Sequence, residues 1–497
     1  MIEPVLPDGI LTLDRDSGVA LSEQIYRGIR DAVRSGHLQA GTRLPSSRRL
    51  AAGLSVGRNT VNTAYELLQT EGIIRSRSGA VPVVMEELRL ETAIDAASGT
   101  RARPELSSRG ALMAADMRGP GWGGRHSDGA LQPGAPALDT FPFDDWARVL
   151  RRAARSVRSH NLQYRNYTGL PALKAELARH LLLERGVQAD PEQILITASM
   201  QAILTLLAQG LADPGDTVWI EEPGYIGART AFHGAGLKMV PLPTDGEGAD
   251  PAAVPPGTKT PKMIYVTPSH NYPLGMRMPL ARRLALIEAA RVSGAIILED
   301  DYDSEFLFVG RPVAALHGLA EAERIVYMGT FAKSLMPGLR IAFCVLPTSL
   351  IESMSQMVRN FGCAANVQTQ AALAQFIDSG LYQKHLKHIR QIYEERGRYL
   401  VGTLRKRLGN QIDVDMPTGN VQVTAKFQDT VDDVALAKAM QARGFSVSPL
   451  SNCYIGGGRR SGLIIGFADA TQDQVAAGVA ALSVCLDDAR SGSNRLG

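Results

Sequence analysis

Apolar positions recur every four residues in "LSEQIYRGIRDAVRSG", where Leu21, Ile25, Ile29 and Val33 make one helical face that Gly36 stops. "LPSSRRLAAGL" begins a second helix, with Ser46 and Ser47 after Pro45 as caps. A third follows in "GRNTVNTAYELLQTEG", with Val61, Ala64 and Leu68 on one face and Gly72 as its stop. "IIRSRSGAVPVV" then reads as a hairpin, so residues 18–85 are expected to form a winged helix-turn-helix head. From 86 to 137 periodicity disappears, and "SRGALMAADMRGPGWGGRHSDGALQPGAP", rich in Gly, Pro and small residues, predicts a flexible linker. Over 138–490 the pattern changes again. The strand-length runs "QILIT", "TVWIEEP", "KMIYVTP", "GAIILEDD" and "RIVYMGT" alternate with helical segments such as "MPLARRLALIEAARVSG". Such alternation predicts an α/β domain with a mostly parallel sheet covered on both faces, its large part over about 180–370. A long helix near "LYQKHLKHIRQIYEERGRYLVGTL" and shorter mixed elements predict a smaller α+β part over about 371–490.

Composition narrows the functional classes. At 497 residues the chain exceeds the size of one core, and a net charge of only +3 means that any anion-binding surface is local. Cys344, Cys363, Cys453 and Cys485 form no CxxC pair, so neither a zinc site nor a disulfide framework is expected, and a reducing cytoplasm fits. "MIEPVLPDGILTLDRD" lacks the pattern of a signal peptide. The longest uncharged stretch, 194–212, carries Thr197, Ser199, Gln201, Thr205 and Gln209 and reads as a buried helix start; no membrane association is expected.

The local anion-binding surface is in the head. Residues 20–85 hold nine arginines, no lysine and four acids, a net +5. Arg48 and Arg49 open the second helix, Arg58, Asn59 and Thr60 open the third, and Arg75 and Arg77 lie on the hairpin. Three elements can thus contact one DNA duplex, with Arg58 and Asn59 suited to guanine and adenine edges and the others to phosphates. "GTRLPSSRRLA" and "RNTVNTAYELLQTEG" make this head resemble the GntR-type winged-helix domain. Two departures stand out. The family's Gly-Val-Ser before "RNTV" is here Ser55-Val56-Gly57, which loses the cap serine, and the wing keeps only Ser78-Gly79 of a longer Gly-Ser-Gly-Thr stretch.

In an open parallel sheet, ligands bind outside the carboxyl ends of the strands. Here those ends read "ASMQAIL", "EEPGY", "TPSHNYPLG", "EDDYDSEF" and "GTFAKS", bringing an aromatic face, an acid pair, a tyrosine and Lys333 to one crevice. A flat, anionic, aldehyde-bearing ring suits that set: a partly buried lysine attacks as the neutral amine, a carboxylate faces the ring nitrogen, and a helix start, hydroxyls and an arginine hold the phosphate. With "YVTPSH", "EDDYDSEF" and "GTFAKSLMPGLR", nearly the whole chain resembles the MocR/GabR-type regulators, a GntR head fused to a fold-type I, aspartate-aminotransferase-like domain that binds pyridoxal 5'-phosphate (PLP). The resemblance makes Lys333 the Schiff-base lysine, Asp300 the partner of the pyridine nitrogen, Tyr302 that of the ring hydroxyl and Tyr225 the stacking aromatic. It puts phosphate contacts on Met200, Gln201, Thr330 and Arg340. Tyr164 matches a tyrosine that reaches the other subunit's phosphate, implying a homodimer. His270 and Asn271 receive no role, because "HNYPLG" is offset from the transaminase "N-P-x-G".

Transaminases of this type clamp the substrate carboxylate with an arginine in a pattern such as "L-R-L-G-F". This chain reads "GLIIGFADA", with Ile464 at that position, Arg459 and Arg460 as the nearest substitutes, and Ala332 in place of a serine before the lysine. The resemblance therefore implies a DNA-binding transcriptional regulator responding to PLP or an amine or amino-acid effector through aldimine chemistry at Lys333. An active aminotransferase with a DNA-binding appendage is the alternative.

Overall fold

The computed structural model describes residues 6, 10–76, 81–85, 106–114, 129–156, 159–163, 165–319 and 322–493. Contacts divide the chain into units 1–105 and 106–497.

In the first unit, α1 (Leu21–Arg34), α2 (Ser47–Leu54) and α3 (Arg58–Thr70) precede the paired strands β1 (Ile74–Arg75) and β2 (Val83–Val84). Ile25 and Ile29 are fully buried against Val61, Ala64 and Leu68, so the four-residue periodicity becomes the contact between α1 and α3. Ala32, rather than Val33, completes the buried stripe of α1. Between α2 and α3, Ser55 is in the left-handed region at φ 50°, and Gly57 caps α3 without a side-chain hydrogen bond. The unit also begins earlier than the expected residue 18. Leu11 fills a notch over Gly28, where a Cβ would lie 2.4 Å from Leu11 Cδ2, and Gln24 Nε2 donates to the carbonyls of Asp14 and Val19.

In the second unit, α4 (Ser108–Ala114), α5 (Phe143–Ser156) and α6 (Pro171–Arg185) lead into β3 (Ile194–Thr197), α7 (Met200–Leu211), β4 (Thr217–Glu222), α8 (Ile226–Gly234), β5 (Lys238–Asp245) and β6 (Gly248–Ala249). Next come β7 (Met263–Val266), α9 (Leu280–Ser293), β8 (Ile296–Asp301), α10 (Leu316–Leu319), β9 (Ile325–Thr330) and β10 (Ala342–Val345). The eight strands are ordered β3-β10-β9-β8-β7-β4-β5-β6. The run from β5 to β9 through β4, β7 and β8 is parallel, whereas β10 pairs antiparallel with both β9 and β3. Alternation decides which helices each residue meets: Tyr265 and Leu298 join the core under α7 and α8, while Ile264, Val266 and Ile297 join Leu286 of α9 on the other face.

After α11 (Ile351–Phe361), α12 (Val367–Asp378) and α13 (Leu381–Leu408), a second sheet forms from β11 (Ile412–Asp413), β12 (Gln422–Phe427), β13 (Ser448–Pro449) and β14 (Gly462–Gly466), backed by α14 (Asp433–Gln441) and α15 (Gln472–Ser493). Its order is β11-β12-β14-β13, all antiparallel.

The segment expected to be linker is only partly so. Residues 86–105 and 115–128 lie outside the described residues. Residues 129–137 instead belong to the second unit, with Leu131 and Ala137 buried in its core and Gly466 N donating to Leu131 O at 2.9 Å. Composition misreads them because a glycine here serves close backbone packing: a Cβ on Gly129 would fall 2.8 Å from Gly444 O.

Candidate functional site

The carboxyl ends of β4, β7, β8 and β9 open onto a cavity of about 490 Å³. It is lined by Lys333, Asp300, Tyr302, Tyr225, Met200, Gln201, Thr330 and Arg340, so eight of the nine residues expected at the cofactor meet there. The ninth, Tyr164, lies outside the described residues.

Each residue arrives there for a local reason. Ser199 caps α7, its side chain accepting from Ala202 N at 3.2 Å, so the first turn containing Met200 and Gln201 presents backbone N–H groups at the cavity wall. Strand alternation separates the acids of "EDD". Asp300 lines the cavity, whereas Asp301 accepts from Arg185 Nε at 2.7 Å and Tyr327 OH at 2.6 Å, and Glu299 accepts from the backbone of Leu316 and His317. Only one acid of the run is therefore left for a ligand. His270 Nδ1 lies 2.8 Å from Asp303 Oδ1 behind the site, and Asn271 is buried beside it; neither is among the cavity-lining residues.

Sequence reasoning missed the residues that hold the site together. Tyr265 OH donates to Asp300 Oδ2 at 2.6 Å, and Tyr272 packs edge-on against both Tyr225 and Tyr302. Lys333 Nζ donates to the carbonyl of Gly134 at 2.6 Å. Asn420, itself left-handed at φ 77°, donates to Tyr302 OH at 3.4 Å. Gln422, at the start of β12, is buried along the cavity, with no partner for Nε2 among the described residues. "YVTPSH" signals Tyr265 through its aromatic one strand from Asp300. No local pattern points to Gly134 or Gln422, which reach Lys333 only through the tertiary fold.

Burial dominates the electrostatics. It lowers the Lys333 pKa to about 8, although Asp303 and Asp300 act in the opposite sense. It raises Asp300 to about 7 against the hydrogen bond from Tyr265, with Asp301 and Asp303 adding to the rise. Asp300 Oδ1 has no partner among the described residues. A buried carboxylate with one vacant acceptor, sharing a cavity with a lysine whose pKa burial lowers to about 8, fits a ring that brings a cationic N–H and a carbonyl. Thr330, Arg340 and the α7 start fit its anionic substituent.

Ile464 is fully buried among Ile226, Tyr272 and Cys453, with Tyr225 and Tyr302 packed against them, so an apolar side chain stands behind the aromatic wall. Arg459 and Arg460 do not replace it, since both are exposed and line a separate groove with Lys426 and Asp429.

In the head, Arg48, Arg49, Arg58 and Asn59 are exposed at the starts of α2 and α3, Thr60 is half-buried, and Arg75 is exposed on β1. Arg58 Nε donates to Ser47 Oγ at 3.4 Å, tying the two helix starts together. Arg77, Ser78 and Gly79 lie outside the described residues.

Comparison with known proteins agrees with both halves. Residues 21–84 match the model of bacterial regulatory proteins of the GntR family, and residues 131–482 match that of class I and II aminotransferases. A probable rhizopine catabolism regulatory protein, MocR, of Rhizobium meliloti is 41% identical over 92% of this chain and 92% of its own length. The pyridoxine biosynthesis transcriptional regulator PdxR of Corynebacterium glutamicum is 29% identical, over 94% of this chain and 96% of its own. Among solved structures, kynurenine aminotransferase of Pyrococcus horikoshii is 26% identical with a TM-score of 0.68, covering 73% of this chain and 91% of that one.

Proposed function

This chain belongs to the MocR-type transcriptional regulators, a GntR helix-turn-helix head joined to a class I/II aminotransferase domain, and from that premise we propose that PLP and a small amine at Lys333 set the DNA-binding state of the head. The family implies PLP binding and DNA binding; the residues and the coupling are our reading.

When bound, PLP supplies an electrophilic carbonyl carbon for primary amines and an electron-withdrawing ring. The chain's own groups divide the remaining work. Lys333 supplies the amine that is neutral from about pH 8 upward, and Asp300, positioned by Tyr265, accepts from the ring nitrogen. Tyr302, held by Asn420, faces the ring hydroxyl, Tyr225 stacks, and Thr330, Arg340 and the α7 start take the phosphate. Arg58 and Asn59 read base edges while Arg48, Arg49 and Arg75 contact the backbone of double-stranded operator DNA. The active form is a homodimer, with Tyr164 completing the neighbouring site.

One observation carries the regulatory reading: Lys333 Nζ is hydrogen-bonded to Gly134 O, which lies between α4 and α5 in the N-terminal part of the second unit. If Lys333 Nζ were bonded to PLP, it would not donate to Gly134 O as the free amine does. The cavity chemistry is thereby tied to the N-terminal part of the second unit, the side of the chain on which the head lies, and differential binding can act through it. Loading the purified protein with PLP and mixing it with primary amines and a keto acid tests this reading against a working aminotransferase. We expect the bound cofactor's visible absorbance to shift and operator affinity to change with little product formed; many turnovers per site, with operator affinity unmoved, would favour the enzyme.

A further inference from the structure

We infer that the amine recognised at this site carries no carboxylate next to its amino group, and that Gln422 reads a neutral hydrogen-bond acceptor, such as a hydroxyl, in that place. The inference rests on the proposed cofactor role of Lys333 and names the class of molecule that would be bound there.

The argument starts from register. Thr424 pairs with Ile464 and Gln422 with Gly466 across β12 and β14, so the Gln422, Thr424 and Ile464 side chains share one face of the small sheet. Thr424 is already engaged, donating to Pro273 O at 2.6 Å, and Ile464 is sealed in apolar packing. The glycine opposite Gln422 lets the Gln132–Gly134 backbone settle over β14, which brings Gly134 O onto Lys333 Nζ. A Cβ built on Gly134 would lie 2.5 Å from Lys333 Nζ and 3.9 Å from Gln422 Oε1, so the amide and the reactive amine both border Gly134 on the cavity wall. Substituents on the amine-bearing carbon of an effector start there.

What meets them is neutral. Gln422 lines the cavity, is 4% exposed, and its buried Nε2 has no partner among the described residues, a donor that an effector's acceptor would satisfy. Among the described residues lining the cavity, the only cations are Lys333 and Arg340, both supplied by the connection between β9 and β10 and both given to the cofactor in the reading above. A carboxylate beside Gln422 would be desolvated without a countercharge, which is expensive, whereas a hydroxyl would accept from the open amide. The Ile464 side chain removes the alternative of an arginine arriving from β14.

Matched pairs test this on the PLP-loaded full-length protein: ethanolamine against glycine, alaninol against alanine, and serinol against serine, each titrated while the cofactor's visible absorbance and operator binding are followed. The alcohols are expected to half-saturate the response at concentrations lower by about tenfold or more. In Gln422→Leu, the ratio within each pair should fall toward one. Because it is taken within one protein, differences in cofactor loading cancel, and the parent alone decides the inference should the variant not fold. An equal or better response to the amino acids, or no response to any amine while the cofactor absorbance is present, would overturn it. Absence of that absorbance from the parent would sink the cofactor assignment and this inference with it.

Discussion

Lys333 is the residue on which the chemistry turns, and its burial makes a definite forecast. Its neutral fraction grows about tenfold per pH unit below its pKa, so with a pKa near 8 the rate of PLP capture should rise by that factor between pH 6 and 7 and level off above 8. Asp300 acts in the same direction. Burial raises it to about 7, so the cofactor-free protein must ionise a carboxylate with one oxygen unpartnered as pH rises, whereas a bound ring N–H supplies the missing donor. The thermal stabilisation conferred by PLP should therefore widen from pH 6 to 8; a flat or narrowing gap would contradict the assignment. Asp300→Asn should weaken PLP binding by about 1.5–3 kcal/mol in an equilibrium titration, the value of a hydrogen bond to a charged group. Lys333, Asp300 and Tyr225 were legible in the chain because each sits where an apolar run ends. Gln422 and Gly134 were not, since one begins a strand of the second sheet and the other sits in a Gly- and Pro-rich stretch, and neither announces a neighbour 89 or 199 residues away.

Among the elements, the connection between α2 and α3 departs from its relatives in a way the structure explains. The family order Gly-Val-Ser puts glycine where the backbone turns left-handed and serine where it caps a helix; here Ser55 occupies φ 50° and Gly57 caps α3 with nothing. Both exchanges destabilise. The double variant Ser55→Gly/Gly57→Ser should stabilise the head by about 1 kcal/mol, read as amide exchange in α2 and α3 slowing about fivefold. A Cβ on Gly57 would find Thr60 Oγ1 at an ordinary 3.6 Å, so no clash opposes it. In α3, Arg58→Ala should weaken specific operator binding by about 1–3 kcal/mol in a fluorescence titration, while equal binding by variant and parent would displace α3 as the reading helix. The three helices and five of the eight strands of the large sheet were visible as periodic runs. β10 was not, because no α-helix separates "AFCV" from β9 to continue the strand–helix alternation. Nor was the arm before α1, whose Leu11 packs without any repeat.

For the whole molecule, the account joins two units by one covalent path. Of the segment read from composition as linker over 86–137, residues 129–137 belong to the second unit and include the backbone that Lys333 touches. A ligand that changes how Lys333 is held acts on a segment in the N-terminal part of the second unit; the head feels it to the extent that its DNA-bound and free states prefer different placements of that segment. No helix among the described residues is long and apolar enough to cross a membrane. The most direct measurement is operator affinity, followed together with cofactor absorbance, in the parent and in Lys333→Ala, each without PLP, with PLP, and with PLP plus an amine that shifts the parent's spectrum. The parent is expected to change affinity in step with its absorbance, and Lys333→Ala to lose the visible absorbance and bind the operator with one affinity throughout. Parallel changes in operator affinity in both proteins, or a parent whose affinity ignores a full shift of its spectrum, would contradict the coupling.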